Sequence, residues 1–512
     1  MSDDPAPLVA RSVRGTVWAL ANRFGVAAGS PGELVGALAG LGSPGAAVVA
    51  RSPVAGEPAE VTELVRALRD LGHIRFVSES GREAGGGQGA ASAPAPEAAP
   101  APPGREAAPA PPGTGVAAVM DGLEAAAPAG PADLGDPAAV CAADPSGVTD
   151  AYEYGTRGAV GHGGAVGHGG AVGHGGAVGH GGAVGHGGAV GGAGVAGCRG
   201  VAGGAAADGY GGLRAAWFRA GQSLIREQPP SGRALVLLTA LGDDADPRLR
   251  PALGTLAANA PWRSDWTRVR GDVSPPWPGP VAALAQGTGR WAEHLLVADQ
   301  RGAIRSVRPA DATPSPGTAA MPVRISALAP RPDGTLLMLD ERGRLHTHGE
   351  SPLTDAVAAA LDAHPGTALA ATGRLVLVGD RHGSLHAFGH GGLHQTAAHR
   401  GRVTAVAVAD GPAPLVCSGG ADGTVRTWTP GRGPETTSLA ERACPVAALA
   451  VHGRTLAVAW ADGLVELRRL GTDEILPLRP GPPVRAVAVT EDGALVVGTD
   501  DTLFRVTARS PR

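Results

Sequence analysis

Six short segments in the second half of the chain end in the same tight turn, about forty residues apart. They occupy residues 295–304, 336–345, 375–385, 415–425, 456–465 and 495–503. Their turn residues Gly302, Gly343, Gly383, Gly423, Gly463 and Asp501 are separated by 41, 40, 40, 40 and 38. A strand, an Asp/Gly turn and a second strand at that period predict a β-propeller. Each turn segment follows another small apolar run, read as an inner strand: 281–285, 325–329, 357–361, 403–407, 446–450 and 484–488. Small apolar residues on both faces suit strands buried near a crowded axis.

Six units from about residue 275 to 512 admit a ring of six blades, or of seven with one degenerate blade. Such rings close by borrowing an outer strand from the opposite end of the domain. The segment 266–271, just before the first repeat, is the expected closing strand, paired with 502–506.

The first half reads differently, so the fold class is multidomain. It joins an all-β propeller at 275–512 to a small N-terminal α/β unit and a low-complexity middle. In the α/β unit, 1–80, Leu34, Leu38 and Leu41 fall at helical spacing, as do Leu64, Leu68 and Leu71. Gly42 and Gly72 are the expected helix stops. Strands are expected at 46–50, 74–77 and 13–20, in a mostly parallel sheet. Residues 81–130 are Ala/Pro/Gly-rich and are expected to be a disordered linker. A short helix is expected over 137–154, within a segment 131–157.

Residues 158–208 carry a Gly-Gly-Ala-Val-Gly-His hexad with His162, His168, His174, His180 and His186. Imidazoles can bind transition metals, but six glycine-rich residues between neighbours leave chelation expensive in loop entropy. A flexible linker is the expected reading; the five histidines are weak metal candidates. Residues 209–274 are expected to be a few packed helices that complete the N-terminal unit across the linker, followed by the closing strand. Within them, 234–241 suits either a strand or a helix.

At 399–428 the sequence, His-Arg-Gly-Arg-Val and then Ser-Gly-Gly-Ala-Asp-Gly-Thr-Val-Arg-Thr-Trp, resembles the WD40-repeat family. The resemblance covers the propeller. It implies a buried hydrogen-bonded set formed by His399, Ser418, Asp422 and Trp428, with a structural rather than catalytic role. The other five units keep the strand and turn but lack most of this set.

Charge narrows the partner class. All 43 basic residues are arginine and the formal net charge is −4. Over 276–512, 23 arginines face 22 carboxylates, and no basic stripe with interleaved aromatics appears. Nucleic acid is therefore not an expected partner. No basic leader with an apolar core and no long apolar run is read, so neither secretion nor a membrane is expected. Four cysteines without metal spacing suit a reducing cytoplasm. Arg301, Arg342 and Arg381 in turns, and Arg324, Arg402 and Arg485 at inner-strand starts, would gather on one rim that fits an acidic partner.

The expected function is a non-enzymatic protein-interaction scaffold with no cofactor, built on a monomeric propeller. The alternative makes the N-terminal α/β unit an enzymatic or nucleotide-binding effector, with the propeller as sensor. Against it, residues 1–80 hold no P-loop, no Gly-x-Gly-x-x-Gly and no nucleophile with a partner set.

Overall fold

The computed structural model describes residues 12–40, 47–50, 59–71, 74–77, 117–118, 133–155, 211–270, 281–315, 319–321, 323–349, 351–389, 391–411, 414–432, 435, 437–481 and 483–509. The histidine hexads and the helix stops Gly42 and Gly72 lie outside them.

The first element, α1 (Val13–Phe24), is a helix where a strand was expected over 13–20. Its start and stop explain why. The Ser12 side chain accepts from the Gly15 N–H, and Gly25 at φ 64° returns its N–H to the last turn. Val17, Leu20 and Ala21 then fall at helical spacing and are buried. Helices α2 (Pro31–Gly40) and α3 (Ala59–Arg69) bring Leu34, Leu38, Leu64 and Leu68 into the same small core. Ala47–Ala50 pairs in parallel with Ile74–Val77 on one side and Ala117–Ala118 on the other. The third strand thus comes from the stretch expected to be an unstructured linker.

The single helix expected over 137–154 is two, α4 (Pro137–Ala142) and α5 (Pro145–Tyr154). Pro145 forces the preceding backbone out of the helical region, and Asp144 caps the second helix by accepting from the Gly147 N–H at 2.7 Å. Helices α6 (Leu213–Leu224), α7 (Pro230–Ala240) and α8 (Leu249–Leu256) follow. The ambiguous run 234–241 falls almost wholly in α7.

These helices hold two parts together. On one side α6 grips α1. The Gln222 side chain donates to the Val26 carbonyl at 2.7 Å and accepts from the Ala28 N–H at 3.0 Å. On the other side, one apolar core runs from Trp217, Leu237 and Leu253 into Trp262, Leu478, Phe504 and Val506 of the propeller. Thr267 Oγ1 donates to the Leu238 carbonyl, and Ser223 Oγ to that of Arg479. The helices therefore complete the N-terminal unit, as expected, and also seat it on the ring.

The C-terminal region is a six-bladed β-propeller. Blade 1 is Val281–Gln286, Leu295–Asp299, Ala303–Val307 and Ala319–Ala320. Blade 2 is Ile325–Pro330, Leu336–Asp340 and Leu345–His348. Blade 3 is Gly366–Ala371, Leu375–Asp380, Ser384–Gly389 and Gly392–Ala397. Blade 4 is Val403–Ala409, Leu415–Gly420, Thr424–Trp428 and Ala440–Glu441. Blade 5 is Val446–His452, Thr455–Trp460, Val465–Arg469 and Ile475–Leu478. Blade 6 is Val484–Val489, Leu495–Thr499 and Thr502–Ala508, with Trp262–Val269 as its fourth strand. Strands are called a to d from the axis outward.

Trp262–Val269 pairs antiparallel with Thr502–Ala508, so the ring closes with the strand expected from the sequence, begun four residues earlier. Blade 3 departs from expectation. Residues 357–361 lie in a helix, α9 (Pro352–Ala363), and strand a is Gly366–Ala371. Val357 and Leu361, one helical turn apart, are both buried, and Pro352 sits at the helix start. The Ala-rich run satisfied a strand pattern and a helix pattern equally.

The turn glycines have a common cause. Gly302, Gly343, Gly383 and Gly423 all have positive φ, and each carbonyl accepts an N–H from the loop or first strand residue entering the next blade. A Cβ there would lie 2.0–2.3 Å from a backbone oxygen of that same segment. Only glycine allows both the turn and the close approach.

Candidate interaction surface

Strand a of each blade starts on the face where the b–c turns end, so both sets of predicted arginines arrive together. Arg301, Arg342 and Arg381 lie in b–c turns; Arg324, Arg402 and Arg485 stand at or just before strand a. All six are exposed. Arg324 pairs with Glu341 at 3.6 Å and Arg485 with Asp500 at 2.8 Å. Arg381 donates to the His382 ring at 3.0 Å. Among the described residues Arg301, Arg342, Arg381 and Arg402 have no carboxylate partner. Paired or not, exposed charges on this face remain available to a partner.

Between blades 3 and 4 lies the hydrogen-bonded set suggested by residues 399–428. His399 Nε2 meets Ser418 Oγ at 2.9 Å, and His399 Nδ1 meets Asp422 Oδ1 at 3.1 Å. Trp428 does not join it: its indole N–H donates to the Arg432 carbonyl at 2.8 Å. Register explains this correction, since Ser418 pairs with Arg426 and Trp428 with Val416. Thr424 takes the vacant role, its hydroxyl lying 3.1 Å from His399 Nδ1 and 2.9 Å from Asp422 Oδ1. Burial holds the His399 imidazole below its ordinary pKa despite the neighbouring carboxylate. Burial works the other way on Asp422, yet the N–H of Arg400 and the N–H and hydroxyl of Thr424 keep its carboxyl below the usual range. The set ties the loop entering blade 4 to the blade's own b–c turn.

Three further carboxylates do related work and were not singled out from sequence. Asp299, Asp340 and Asp380 sit three residues before the turn glycine and accept two turn N–H groups each, at 2.8–2.9 Å. Asp340 also meets His346 at 2.9 Å, and Asp380 meets His386 at 3.0 Å. Burial alone would raise both carboxyls; these hydrogen bonds lower them instead. Aligning the repeats on the glycine exposes the signal: aspartate stands at glycine minus three in blades 1 to 3, and at minus one (Asp422, Asp462) in blades 4 and 5.

The a strands enclose a central channel of about 510 Å³. Its wall is mainly Ala, Val and Leu. The ionisable residues bordering it stand at the mouths, Arg485 at one and Asp410, His452 and Glu491 at the other. At the second residue of every a strand the register slips by one, at Ala282, Ser326, Thr367, Thr404, Ala447 and Arg485. The Ser326, Thr367 and Thr404 hydroxyls are spent on backbone carbonyls, at 2.6–3.1 Å. Among the described residues, no helix is long and apolar enough to cross a membrane.

No family model and no curated protein matches the chain. Among solved structures, it is similar to the computationally designed Ika8 protein, at 21% identity, with 45% of this chain and 71% of that chain covered and a TM-score of 0.30. The six-bladed arrangement stands on the strand pairing described above.

Proposed function

We propose that this chain is a non-enzymatic protein-interaction scaffold, a WD40-like propeller whose b–c face receives an acidic protein surface. The observation that carries this reading is the gathering of Arg301, Arg324, Arg342, Arg381, Arg402 and Arg485 on one exposed face. Loops on a rigid frame favour recognition, because little ordering entropy is lost on binding. Arginine suits the role, since its planar fork binds carboxylates in pairs and is weakly hydrated. The channel wall is mostly aliphatic, and the ionisable residues bordering it stand at its mouths.

The test is affinity capture from a cell extract with the immobilised full chain and with a variant carrying Arg301→Glu, Arg342→Glu and Arg402→Glu. The reading expects proteins that elute from the wild type as salt rises, and that the folded variant fails to retain. Identical capture by both would overturn it.

A further inference from the structure

Strand d of blade 3 (Gly392–Ala397) is the outermost strand of its sheet, and all its residues are exposed except the partly buried Thr396. An open edge offers unpaired backbone N–H and C=O groups to any extended chain, so outer strands are ordinarily short, charged, interrupted by proline or covered. The other blades follow that rule. Strand d has two residues in blade 1 and two in blade 4. In blade 5 it contains Pro477, whose carbonyl accepts from the Trp262 indole. In blade 6 it carries Arg263, Asp265 and Arg268 and lies against α7. Among the described residues blade 2 ends at strand c, against which α9 packs. The blade 3 edge reads Gly-Leu-His-Gln-Thr-Ala, with no proline, carboxylate or arginine. Its Leu393 is 54% exposed, the most open large apolar side chain among the described residues.

Pairing with strand c fixes which groups point outward. Gly389 pairs with Gly392, Ala387 with His394 and Leu385 with Thr396. In the same register the Ala398 N–H donates to the Gly383 carbonyl at 2.9 Å. Hydrogen-bonded and non-bonded pairs alternate along an antiparallel ladder, so 392, 394 and 396 bond inward as 398 does. The N–H and C=O of Leu393, Gln395 and Ala397 therefore face away from strand c. Among the described residues no other strand pairs with this one.

We propose that this edge pairs with the same edge of a second copy of the chain, antiparallel about a two-fold axis through Gln395, so that the two four-stranded blades become one continuous sheet. Centred there, Leu393 faces Ala397 of the second copy and the two Gln395 residues face each other. This register forms three hydrogen-bonded pairs, with two bonds in each, and it is the register that uses every outward group. The side chains agree with it. Leu393 lies over the Ala397 methyl group, the Gln395 amides donate and accept across the axis, and His394 lies opposite Thr396. Charge selects a second copy as the occupant. An arginine or carboxylate here would stand close to its own counterpart across the axis, and this edge has neither. The contact is one strand about 20 Å long, small for an interface, so the pair is a weak one, with a dissociation constant of about 10–500 μM. It replaces the monomeric propeller expected from the sequence with a concentration-dependent dimer. The proposal does not depend on the scaffold reading, since none of the six arginines lies on this strand.

Sedimentation velocity of the full chain from about 5 to 500 μM tests it, and a monomer–dimer equilibrium is expected. Gln395→Lys and Gln395→Glu each set like charges face to face on the axis and should weaken the dimer about tenfold or more. An equimolar mixture of the two variants should recover association, since opposite charges then meet. Ile475→Lys, at the other exposed large apolar side chain, should leave the dimer unchanged. Gln395 is exposed, so the variants should fold, and melting temperatures equal to that of wild type check this. Hydrogen–deuterium exchange reads the register: amides of 393, 395 and 397 should gain protection as concentration rises, while those of 394 and 396 are protected throughout. A chain that stays monomeric at about 500 μM would overturn the proposal, whether or not the edge takes up a foreign peptide. So would a dimer indifferent to both charges at 395, or one weakened as much by Ile475→Lys.

Discussion

Replacing Gly423 with alanine should destabilise the propeller far more than replacing Gly493. Both glycines lie in tight turns at nearly the same left-handed φ, 74° and 79°. Each substitution therefore carries the same backbone strain, about 1–2 kcal/mol. The surroundings differ. A Cβ on Gly493 meets nothing within 4 Å, whereas one on Gly423 would stand 2.0 Å from the Arg442 carbonyl oxygen. Relief requires the loop entering blade 5 to move by more than an ångström. That movement breaks the 2.9 Å bond from the Arg442 N–H to the Gly423 carbonyl. Backbone displacement adds about 1–3 kcal/mol and the lost bond about 0.5–1.5 kcal/mol. Gly423→Ala should then lose about 3–6 kcal/mol in all, against about 1–2 for Gly493→Ala. Urea denaturation followed by tryptophan fluorescence measures the difference. Equal midpoints for the two variants would refute the idea that close approach, and not φ alone, selects the repeated glycine.

Other consequences are as direct. His399 is held neutral by burial, while the unfolded chain takes up a proton near pH 6.5. The unfolded state thus binds more protons below that pH, so the stability this group contributes is present above it and lost on acidification. The urea midpoint should fall between pH 7.5 and 5.5, and His399→Gln should make that fall shallower; parallel slopes would exclude the group. Burial pushes the Cys141 and Cys417 thiols up to about 12, whereas Cys444 is only half-buried. Alkylation of the native chain at pH 8 should therefore label Cys444 before either of them, as read by peptide mass spectrometry. Gly221→Ala would put a methyl group 2.0 Å from the Trp18 ring, where α6 meets α1. Limited proteolysis of that variant should cut near residues 25–30 sooner than in wild type, while the propeller stays intact.

The ring was legible because its constraint is periodic. In blades 1 to 4 the turn needs a glycine close under neighbouring backbone, and that need leaves a mark every forty residues or so. The closing strand at Trp262–Val269 was also readable, by its position before the first repeat. Local pattern failed where small residues fit two structures, as at 357–361, and where caps outweighed β-branched content, as at 13–20. Trp428 was misplaced because a two-residue difference in register takes its indole away from the His399, Ser418 and Asp422 side chains and to the Arg432 carbonyl.

The central claim is that the chain closes into a ring through a strand borrowed from before the first repeat. Hydrogen–deuterium exchange of the full chain addresses it peptide by peptide. Amides of 262–269 should be protected as strongly as those of 502–508, and the two should lose protection together as urea is added. Rapid exchange at 262–269 alongside a protected 502–508 would contradict the account.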